Sequence, residues 1–216
     1  MDLAAAREEY SRGGLSETDL APDPITMFER WYVEARDAGV REPNAMVIAT
    51  TDPDGAPSSR FVLLKGFDAG RDGRGGFVFY TNQASRKGRA LAADPRIALL
   101  FPWHDLERQV RIEGTADLLP RSEVEAYFAQ RPRGSQLGAW ASHQSQPVAG
   151  REELEAAYAE AERRYAGVDV PAPDEWGGYR VIPESVEFWQ GRIGRMHDRL
   201  VYRRTPEGWG TQRLAP

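Results

Sequence analysis

Short runs in which apolar and polar residues alternate make up most of the chain, and turn residues such as glycine, proline and aspartate separate them. Alternation with a period of two is typical of strands that bury one face, and the turns favour antiparallel hairpins between consecutive strands. The turn sequence at 52–55 is one example, since it separates two such runs. The pattern predicts strands over residues 45–51, 58–67, 77–81, 96–101, 108–119, 179–182, 185–190, 198–204 and 209–214.

Four other segments have helical character instead. Asp23 and Pro24 are typical of the N-cap and first position of a helix that ends near Gly39. Ser122 and Glu125 match a capping box at the start of another helix. The sequence therefore predicts helices from Asp23 to Gly39, over 84–93, from Ser122 to near Pro132, and over 151–167.

These helices lie between groups of strands rather than after every strand, which favours an antiparallel sheet over a βαβ fold. The chain contains neither G-x-G-x-x-G nor a P-loop sequence, so nothing supports a Rossmann or P-loop nucleotide site. We predict an α+β, mainly β fold: an antiparallel, Greek-key-like barrel with peripheral helices. Residues 1–22 are polar and contain glycine, which predicts a mobile N-terminal arm; residues 23–216 are predicted to form a single domain.

Composition excludes several functional classes. The 216 residues carry a formal net charge of −5 and include no cysteine, which excludes disulfides and thiolate metal sites and fits a cytoplasmic protein. Charged residues near the start leave no signal-peptide pattern, and no apolar run approaches the roughly 18 residues of a membrane span. An acidic chain with three scattered histidines predicts no metal site, no nucleic-acid partner and no membrane partner.

Lysine usage points to an anion. Of the 28 basic residues only Lys65 and Lys87 are lysines, and an ammonium is not interchangeable with a guanidinium at a shaped site. Arg86 and Lys87 follow Ser85 at a predicted helix start, where the helix dipole disfavours cations unless an anion such as phosphate binds there. Chance retention of lysine and a solvated helix end with screened charges are the alternatives.

A second anion site is predicted around Tyr127 and Arg131. The two residues are four apart on a predicted helix, so they share one face, and Ser135 follows closely. A phenol, a guanidinium and a hydroxyl that converge at a helix end can bind a phosphate. A purely structural contact between Tyr127 and Arg131 is the alternative.

Spacing along predicted strands places two further sets of cations. Arg60 and Lys65 are five residues apart, so on one strand they project to opposite faces, with an apolar run between them that is expected to be buried. They either reach solvent or serve two separate anionic sites. If the segment near the end of the chain is extended, Arg195, His197 and Arg199 share one face and need a negative partner, unless that face is simply solvated.

A series of motifs occurs in order along the chain: RFVLLK, FYTN-x-x-SRK, LLFPW, ERQVR-x-EG, YF-x-x-RP-x-x-SQ-x-GAW-x-S-x-QS, WGGYR, EFWQG, R-x-HDR and the terminal RLAP. Together they resemble the pyridoxamine 5′-phosphate oxidase family from about Arg7 to Pro216. The resemblance implies an FMN-binding split barrel and a homodimer with FMN sites at the subunit interface. It also implies that pyridoxamine or pyridoxine 5′-phosphate is oxidised to pyridoxal 5′-phosphate by hydride transfer from C4′ to flavin N5, with dioxygen as acceptor and hydrogen peroxide as product.

Matching positions carry the family's site residues onto this chain. The resemblance implies that FMN contacts Arg60, Phe61, Val62, Leu63, Leu64, Lys65, Tyr80, Thr81, Arg86, Lys87, Gln109, Gln144, Ser145, Trp189 and Arg199. It implies that the substrate contacts Arg7, Glu8, Glu9, Tyr10, Lys65, Tyr127, Arg131, Ser135, Arg195, Met196 and His197.

Within the substrate set, Arg195 and His197 are the implied catalytic residues. The charges of Arg195 and Arg199 would then be compensated by the electron-rich rings of the flavin and the vitamer. Two alternatives remain on sequence grounds: a split-barrel flavoprotein with another substrate, and a non-catalytic protein that binds pyridoxal phosphate or FMN.

Overall fold

A computed structural model describes residues 9–11, 13–70 and 75–216. Its helices are α1 (Pro24–Asp37), α2 (Arg86–Ala93), α3 (Arg121–Ala129), α4 (Arg133–Ala141) and α5 (Arg151–Arg164). Its strands are β1 (Ala45–Thr51), β2 (Pro57–Leu63), β3 (Gly66–Asp68), β4 (Gly76–Asn82), β5 (Arg96–Trp103), β6 (Arg108–Leu118), β7 (Trp176–Gln190), β8 (Asp198–Thr205) and β9 (Gly208–Arg213). Single 3₁₀ turns occur at Glu17–Asp19, His104–Leu106 and Ile193–Arg195.

The strands form one sheet in which every described pairing is antiparallel. The order is β2-β1-β5-β6-β7-β4-β3, with β8 on β7 and β9 on β8. The long strand β7 pairs with β6, β4 and β8, and a register shift between Glu113 and Gly114 of β6 bends the sheet. The sheet curls into a half-barrel with helices at its periphery, so the predicted α+β, mainly β fold is confirmed.

Helix α1 closes the core of the barrel, as its apolar spacing predicts. Phe28 is fully buried and Trp31 nearly so. The Phe28 ring lies 4.9 Å from the ring of Phe77 and 4.8 Å from that of Phe101, measured between centroids. Burying a phenylalanine side chain contributes roughly 1.5–3 kcal/mol. The helix therefore anchors the sheet that carries the functional residues.

The predicted N-cap of α1 is confirmed, because one carboxylate oxygen of Asp23 accepts hydrogen bonds from the N–H groups of Ile25 and Thr26 at 2.9 Å each. Asp23→Ala leaves these donors without a side-chain acceptor, and we expect it to lower the free energy of unfolding by about 1 kcal/mol. Urea denaturation of the cofactor-free protein measures this loss. Asp174 is an exposed loop residue, and Asp174→Ala should lower the free energy of unfolding by less than half of that amount.

The predicted strand 58–67 is wrong in one respect, since it divides into β2 and β3 at Leu64 and Lys65. The apolar run expected to be buried is also partly exposed: Phe61 is 70% exposed and Leu63 is 37% exposed, whereas Leu64 is buried in the core. The physical reason is that β2 is an edge strand paired with β1, so one of its faces is left uncovered within one chain. Because the strand is interrupted before Lys65, alternation along one strand does not place the side chains of Arg60 and Lys65 on opposite faces of the sheet.

Two helix boundaries differ from prediction. Helix α2 begins after Ser85, whose hydroxyl caps it by accepting from the N–H of Gly88. Helix α3 begins after Pro120, so Ser122 lies inside it and no capping box forms. The carboxylate of Glu125 instead accepts a hydrogen bond from Arg121 at 2.8 Å.

Helix α4 was not predicted, because Pro132 was interpreted only as the end of the preceding helix. Pro132 instead occupies the N-cap position of α4. The buried side chain of Gln136 donates hydrogen bonds to the carbonyl oxygens of Phe128 and Ala129 at the end of α3. This contact depends on the two helices folding together, so local periodicity does not reveal it.

The end of the chain forms longer strands than predicted, since 179–182 and 185–190 are parts of the single strand β7. Part of the predicted arm lies on the barrel: Leu15 is buried, and its N–H donates to a carboxylate oxygen of Asp198 at 3.0 Å. Residues 1–8 and residue 12 lie outside the described residues, so the mobility of the arm stays a prediction.

Candidate functional site

Most of the predicted phosphate ligands line one pocket of about 650 Å³, here called the anion pocket. It lies where β2 and β4 meet α3, α4 and the loop that follows α4. The predicted residues in its wall are Arg60, Phe61, Val62, Leu63, Lys65, Tyr80, Thr81, Lys87, Tyr127, Arg131, Ser135 and Gln144. Sequence reasoning missed five further lining residues: Asn82, Gly138, Ala139, Ser142 and Trp176.

The anion pocket is strongly cationic. Arg60, Lys65, Lys87 and Arg131 all line it, and its described lining residues include no aspartate or glutamate. Cations that converge without a carboxylate are stabilised by a bound anion. The pocket therefore has the charge expected of a site for phosphorylated ligands.

Lys87 is a buried cation that contacts neutral oxygens. Its Nζ donates to Thr81 Oγ1 at 3.0 Å, to Ser85 Oγ at 3.2 Å and to Gln144 Oε1 at 2.8 Å. Burial, with a further contribution from the charge of Arg60, lowers the pKa of Lys87 to about 8. At the start of α2, where the sequence predicts an anion site, the cation that lines the pocket is therefore Lys87.

Arg60 is held at the pocket edge by two hydroxyl groups. Its Nη1 donates to Thr50 Oγ1 at 2.8 Å and its Nη2 to Ser58 Oγ at 2.5 Å. Burial lowers its pKa, and the nearby carboxylate of Asp52 opposes that effect while Arg86 adds to it. The charges of Asp52 and Arg86, which do not line the pocket, therefore act on Arg60.

The second predicted phosphate site forms the other side of the same pocket. The guanidinium of Arg131 lies over the ring of Trp176, 4.7 Å from its centroid, and burial lowers the Arg131 pKa. Its Nη1 is buried and has no hydrogen-bond partner in the part of the chain that the structure describes. The rings of Tyr80 and Tyr127 stack at 3.9 Å, and Trp176 stacks on Tyr80 at 5.4 Å. This side thus combines a flat aromatic wall with an unsatisfied guanidinium donor.

Six residues predicted to contact FMN do not line this pocket, and three of them, Leu64, Arg86 and Ser145, belong to the neighbouring elements. Arg86 projects away and forms an ion pair with Asp52. Leu64 belongs to the core. Ser145, at a φ of +70°, faces a neighbouring cavity of about 630 Å³ behind the loop that carries Gln144.

A second group of predicted residues lies at the far end of β7. Gln109, Trp189 and Arg199 are direct neighbours across β6, β7 and β8, so their side chains share one face of the sheet. The His197 ring lies 4.7 Å from that of Trp189, and the Tyr10 ring contacts both at 5.8 and 5.5 Å. We call these five residues the Trp189 cluster.

Other predicted substrate residues lie beside the Trp189 cluster. Arg195 is exposed at the end of a 3₁₀ turn with a φ of +62°, and Met196 is 69% exposed. Glu9 is exposed and precedes Tyr10. Arg7 and Glu8 lie outside the described residues.

The prediction that Arg195, His197 and Arg199 share one face of a strand is wrong. Strand β8 begins only at Asp198, because the chain turns at 193–195. The expectation that ligand rings face Arg199 stays a prediction, but Arg199 already has a negative partner within the chain. Its Nε donates to Oε1 of the buried Glu187 at 2.8 Å and its Nη2 to Oε2 at 3.0 Å, which raises the Arg199 pKa.

The two groups do not meet within the described chain. Trp176 of the anion pocket and Trp189 are thirteen residues apart on β7, about 43 Å of extended strand. No member of the Trp189 cluster lines the anion pocket. One chain thus presents two separate parts of the predicted site.

No helix among the described residues is long and apolar enough to cross a membrane. No three histidine, aspartate or glutamate side chains in the described ranges are grouped so that they could hold a metal ion.

In comparisons with known proteins, two models of one family match successive segments of the chain. Residues 33–165 match the family model described as pyridoxamine 5′-phosphate oxidase. Residues 176–216 match the model of the pyridoxine 5′-phosphate oxidase C-terminal dimerisation region, and they include Trp189, His197 and Arg199.

Named relatives are similar over their full length. A pyridoxine/pyridoxamine 5′-phosphate oxidase from Nocardioides sp. is 67% identical over 216 residues, which cover 100% of this chain and 99% of the relative. One from Rubrobacter xylanophilus is 60% identical and covers 100% of this chain and 97% of its own.

Two solved structures share the fold. PhzG from Burkholderia lata 383, in complex with tetrahydrophenazine-1-carboxylic acid, superposes with a TM-score of 0.86 at 36% identity, over 95% of this chain and 100% of its own. A pyridoxamine 5′-phosphate oxidase-related, FMN-binding protein from Nostoc punctiforme has a TM-score of 0.70 at 15% identity, over 91% of this chain and 100% of its own, which shows the common fold.

Proposed function

The chain belongs to the pyridoxamine 5′-phosphate oxidase family, and on this premise we propose that it oxidises pyridoxamine and pyridoxine 5′-phosphate to pyridoxal 5′-phosphate. FMN is the cofactor, and dioxygen is the proposed electron acceptor. The observation that carries the proposal is the anion pocket, where four cations converge and no carboxylate is among the described lining residues. Two phosphates, one from FMN and one from the vitamer, supply the missing negative charge.

The FMN phosphate fits the side of the pocket around Lys87. The hydrogen bonds described for this ammonium go to neutral oxygens, and burial lowers its pKa, so a dianion at this position stabilises the charged form. Arg60 adds a guanidinium at the same edge. Lys87 and Arg60 would hold the phosphate, while Thr81 and Gln144 orient Lys87.

The substrate phosphate fits the opposite side. A buried guanidinium N–H without a partner is costly, and a phosphate oxygen would satisfy Nη1 of Arg131. Lys65, Tyr127 and Ser135 line the same side and offer an ammonium and two hydroxyl groups. This set would fix the phosphorylated end of the vitamer.

When bound, FMN would supply a two-electron acceptor for the oxidation, with dioxygen as the proposed final acceptor. The chain's own residues would orient the vitamer and donate hydrogen bonds to it. Nδ1 of His197 accepts a hydrogen bond from the N–H of Arg192 at 3.1 Å, so the neutral ring carries its proton on Nε2. From Nε2 the ring can donate to the phenolate-like oxygen of the vitamer. Arg195 has a positive φ, which is uncommon outside glycine and often marks functional sites.

A homodimer joins the two parts of the site. The Trp189 cluster lies far along β7 from the anion pocket, and three of its five residues, Trp189, His197 and Arg199, belong to the segment that matches the dimerisation region. The exposed Phe61 and Leu63 at the pocket edge offer apolar surface for a partner. We infer that the anion pocket of one protomer and the Trp189 cluster of its partner enclose one FMN.

The lowered pKa of Lys87 predicts how FMN affinity depends on pH. In the empty pocket the ammonium loses its proton above about pH 8, so FMN binding at higher pH must take up a proton. We expect the dissociation constant of FMN to rise by up to about tenfold per pH unit above pH 8. Fluorescence titrations between pH 7 and 9.5 measure it. In Lys87→Met this alkaline rise should disappear; its persistence would contradict the assignment.

Anaerobic reduction of the bound flavin tests the proposed reaction. The FMN-loaded protein is mixed with pyridoxine 5′-phosphate without oxygen, and the flavin absorbance is followed. Bleaching is expected, and admission of oxygen should restore the absorbance with release of hydrogen peroxide. Unphosphorylated pyridoxine is the matched control, because it lacks the group that Arg131 binds, and it should bleach the flavin much more slowly at equal concentration.

Other outcomes favour the alternatives. FMN binding without bleaching by either phosphorylated vitamer would favour a non-catalytic binding protein. Bleaching by a different reductant, with neither phosphorylated vitamer active, would favour a flavoprotein with another substrate.

A further inference from the structure

We infer that Asp52 is an internal counter-ion of the anion pocket, which competes with the FMN phosphate for Arg86 and so weakens FMN binding. The inference rests on the proposed function, because it concerns the phosphate of the proposed cofactor. Asp52 is itself outside the pocket wall and outside every set of residues assigned above to FMN or substrate.

Asp52 holds Arg86 away from the pocket. Both Nε and Nη2 of Arg86 donate to the same carboxylate oxygen, Oδ2, at 2.8 and 2.5 Å. Arg86 is the first residue of α2 and directly precedes Lys87, yet only Lys87 lines the pocket. The carboxylate of Asp52 thus accepts hydrogen bonds from two nitrogens, Nε and Nη2, of a guanidinium that lies next to the proposed phosphate site.

The carboxylate is incompletely satisfied in this position. Its side chain is 11% exposed, and Oδ1 is buried with no hydrogen-bond partner in residues 9–11, 13–70 and 75–216. Hydrogen bonds described for the surrounding turn use the backbone N–H and C=O of Asp52 rather than its side chain. The side chain is therefore not required for the turn, and its main described contact is the ion pair with Arg86.

Its negative charge also reaches the pocket directly. The field of Asp52 acts on the guanidinium of Arg60, and that of Arg60 acts on Lys87. A negative charge close to these two cations reduces the positive potential that attracts a dianion. Both effects have the same sign, so removing the Asp52 charge should strengthen phosphate binding.

Flavins with and without a phosphate separate this effect from general changes in the site. Dissociation constants of FMN and riboflavin are measured by fluorescence for the full-length, cofactor-free wild-type protein and for Asp52→Asn. We expect Asp52→Asn to bind FMN about tenfold more tightly, with riboflavin affinity changed less than about twofold. Asp52→Ser, which also removes the charge, should behave in the same way.

Asp54 provides a matched control in the same turn. It is exposed, its carboxylate accepts from the backbone N–H of Ala56, and its field raises the pKa of Arg86 less than the hydrogen-bonded Asp52 does. Asp54→Asn should change FMN affinity by less than about twofold, since an exposed charge is screened.

The outcomes are distinct. Unchanged or weaker FMN binding in both Asp52 variants would overturn the inference, as would equal tightening of FMN and riboflavin. If wild-type protein bound FMN no better than riboflavin, the proposed phosphate site itself would fail. An effect of Asp54→Asn as large as that of Asp52→Asn would also overturn the inference, because contact with Arg86 would then be irrelevant.

Discussion

Replacing Arg131 with alanine raises the KM for pyridoxine 5′-phosphate about 10- to 150-fold and leaves FMN bound. The reason is the buried Nη1, which has no hydrogen-bond partner among the described residues and is expected to donate to the substrate phosphate. A charge-assisted hydrogen bond contributes about 1.5–3 kcal/mol, and about 1.4 kcal/mol corresponds to one decade. Steady-state kinetics at saturating FMN, together with the flavin content of the purified protein, measure both effects.

Arg133 supplies the control for this variant. It lies two residues further on, but its guanidinium donates to the carbonyl oxygens of Val168 and Tyr165 and does not line the pocket. Arg133→Ala should leave the KM within about twofold of wild type. A KM for Arg131→Ala that matches this control would remove Arg131 from the substrate site.

Replacing Lys87 with methionine raises the dissociation constant of FMN about 10- to 150-fold, by the same charge-assisted hydrogen-bond magnitude. Methionine keeps the apolar stem of the buried side chain but removes the ammonium that contacts Thr81 and Gln144. Excess FMN should therefore restore most of the activity. Fluorescence titration with FMN gives the affinity, and an FMN-dependent activity assay gives the recovery.

Arg89→Met is the comparison on the same helix, because Arg89 is exposed and outside the pocket. Its FMN affinity should match that of wild type. If Lys87→Met bound FMN as tightly as Arg89→Met, the start of α2 would not be the phosphate site.

Sequence analysis located the parts of the site that depend on local spacing. Lys87 was identified from its position behind Ser85 at a helix start, and both residues lie there in the structure. Tyr127 and Arg131 share a helix face because they are four residues apart, and both line the pocket. Short-range geometry of this kind follows directly from helix periodicity.

Features that depend on contacts between distant segments were missed or mistaken. Trp176 completes the aromatic wall because β7 pairs with β4 at Asn82, which no local pattern reveals. Lys65 lines the same pocket as Arg60 only because the strand is interrupted between β2 and β3. Arg199 contacts Glu187 through the pairing of β7 with β8, and no local pattern reveals this negative partner within the chain.

The central claim is that one site is built from the anion pocket of one protomer and the Trp189 cluster, with its neighbour Arg195, of the other. Mixed dimers test it directly. Chains carrying Arg131→Ala and chains carrying Arg195→Ala are expressed together with different affinity tags, and dimers that carry both tags are isolated. Each lesion then lies in a different part of the proposed site.

The measurement is kcat/KM for pyridoxine 5′-phosphate in the mixed dimers, compared with both variant homodimers and with wild type. In a composite arrangement both lesions fall in one site and the other site is intact. The account therefore predicts about half of the wild-type activity, although each variant homodimer is impaired. Mixed dimers no more active than the average of the two homodimers would contradict the account, because every site would then lie within a single chain.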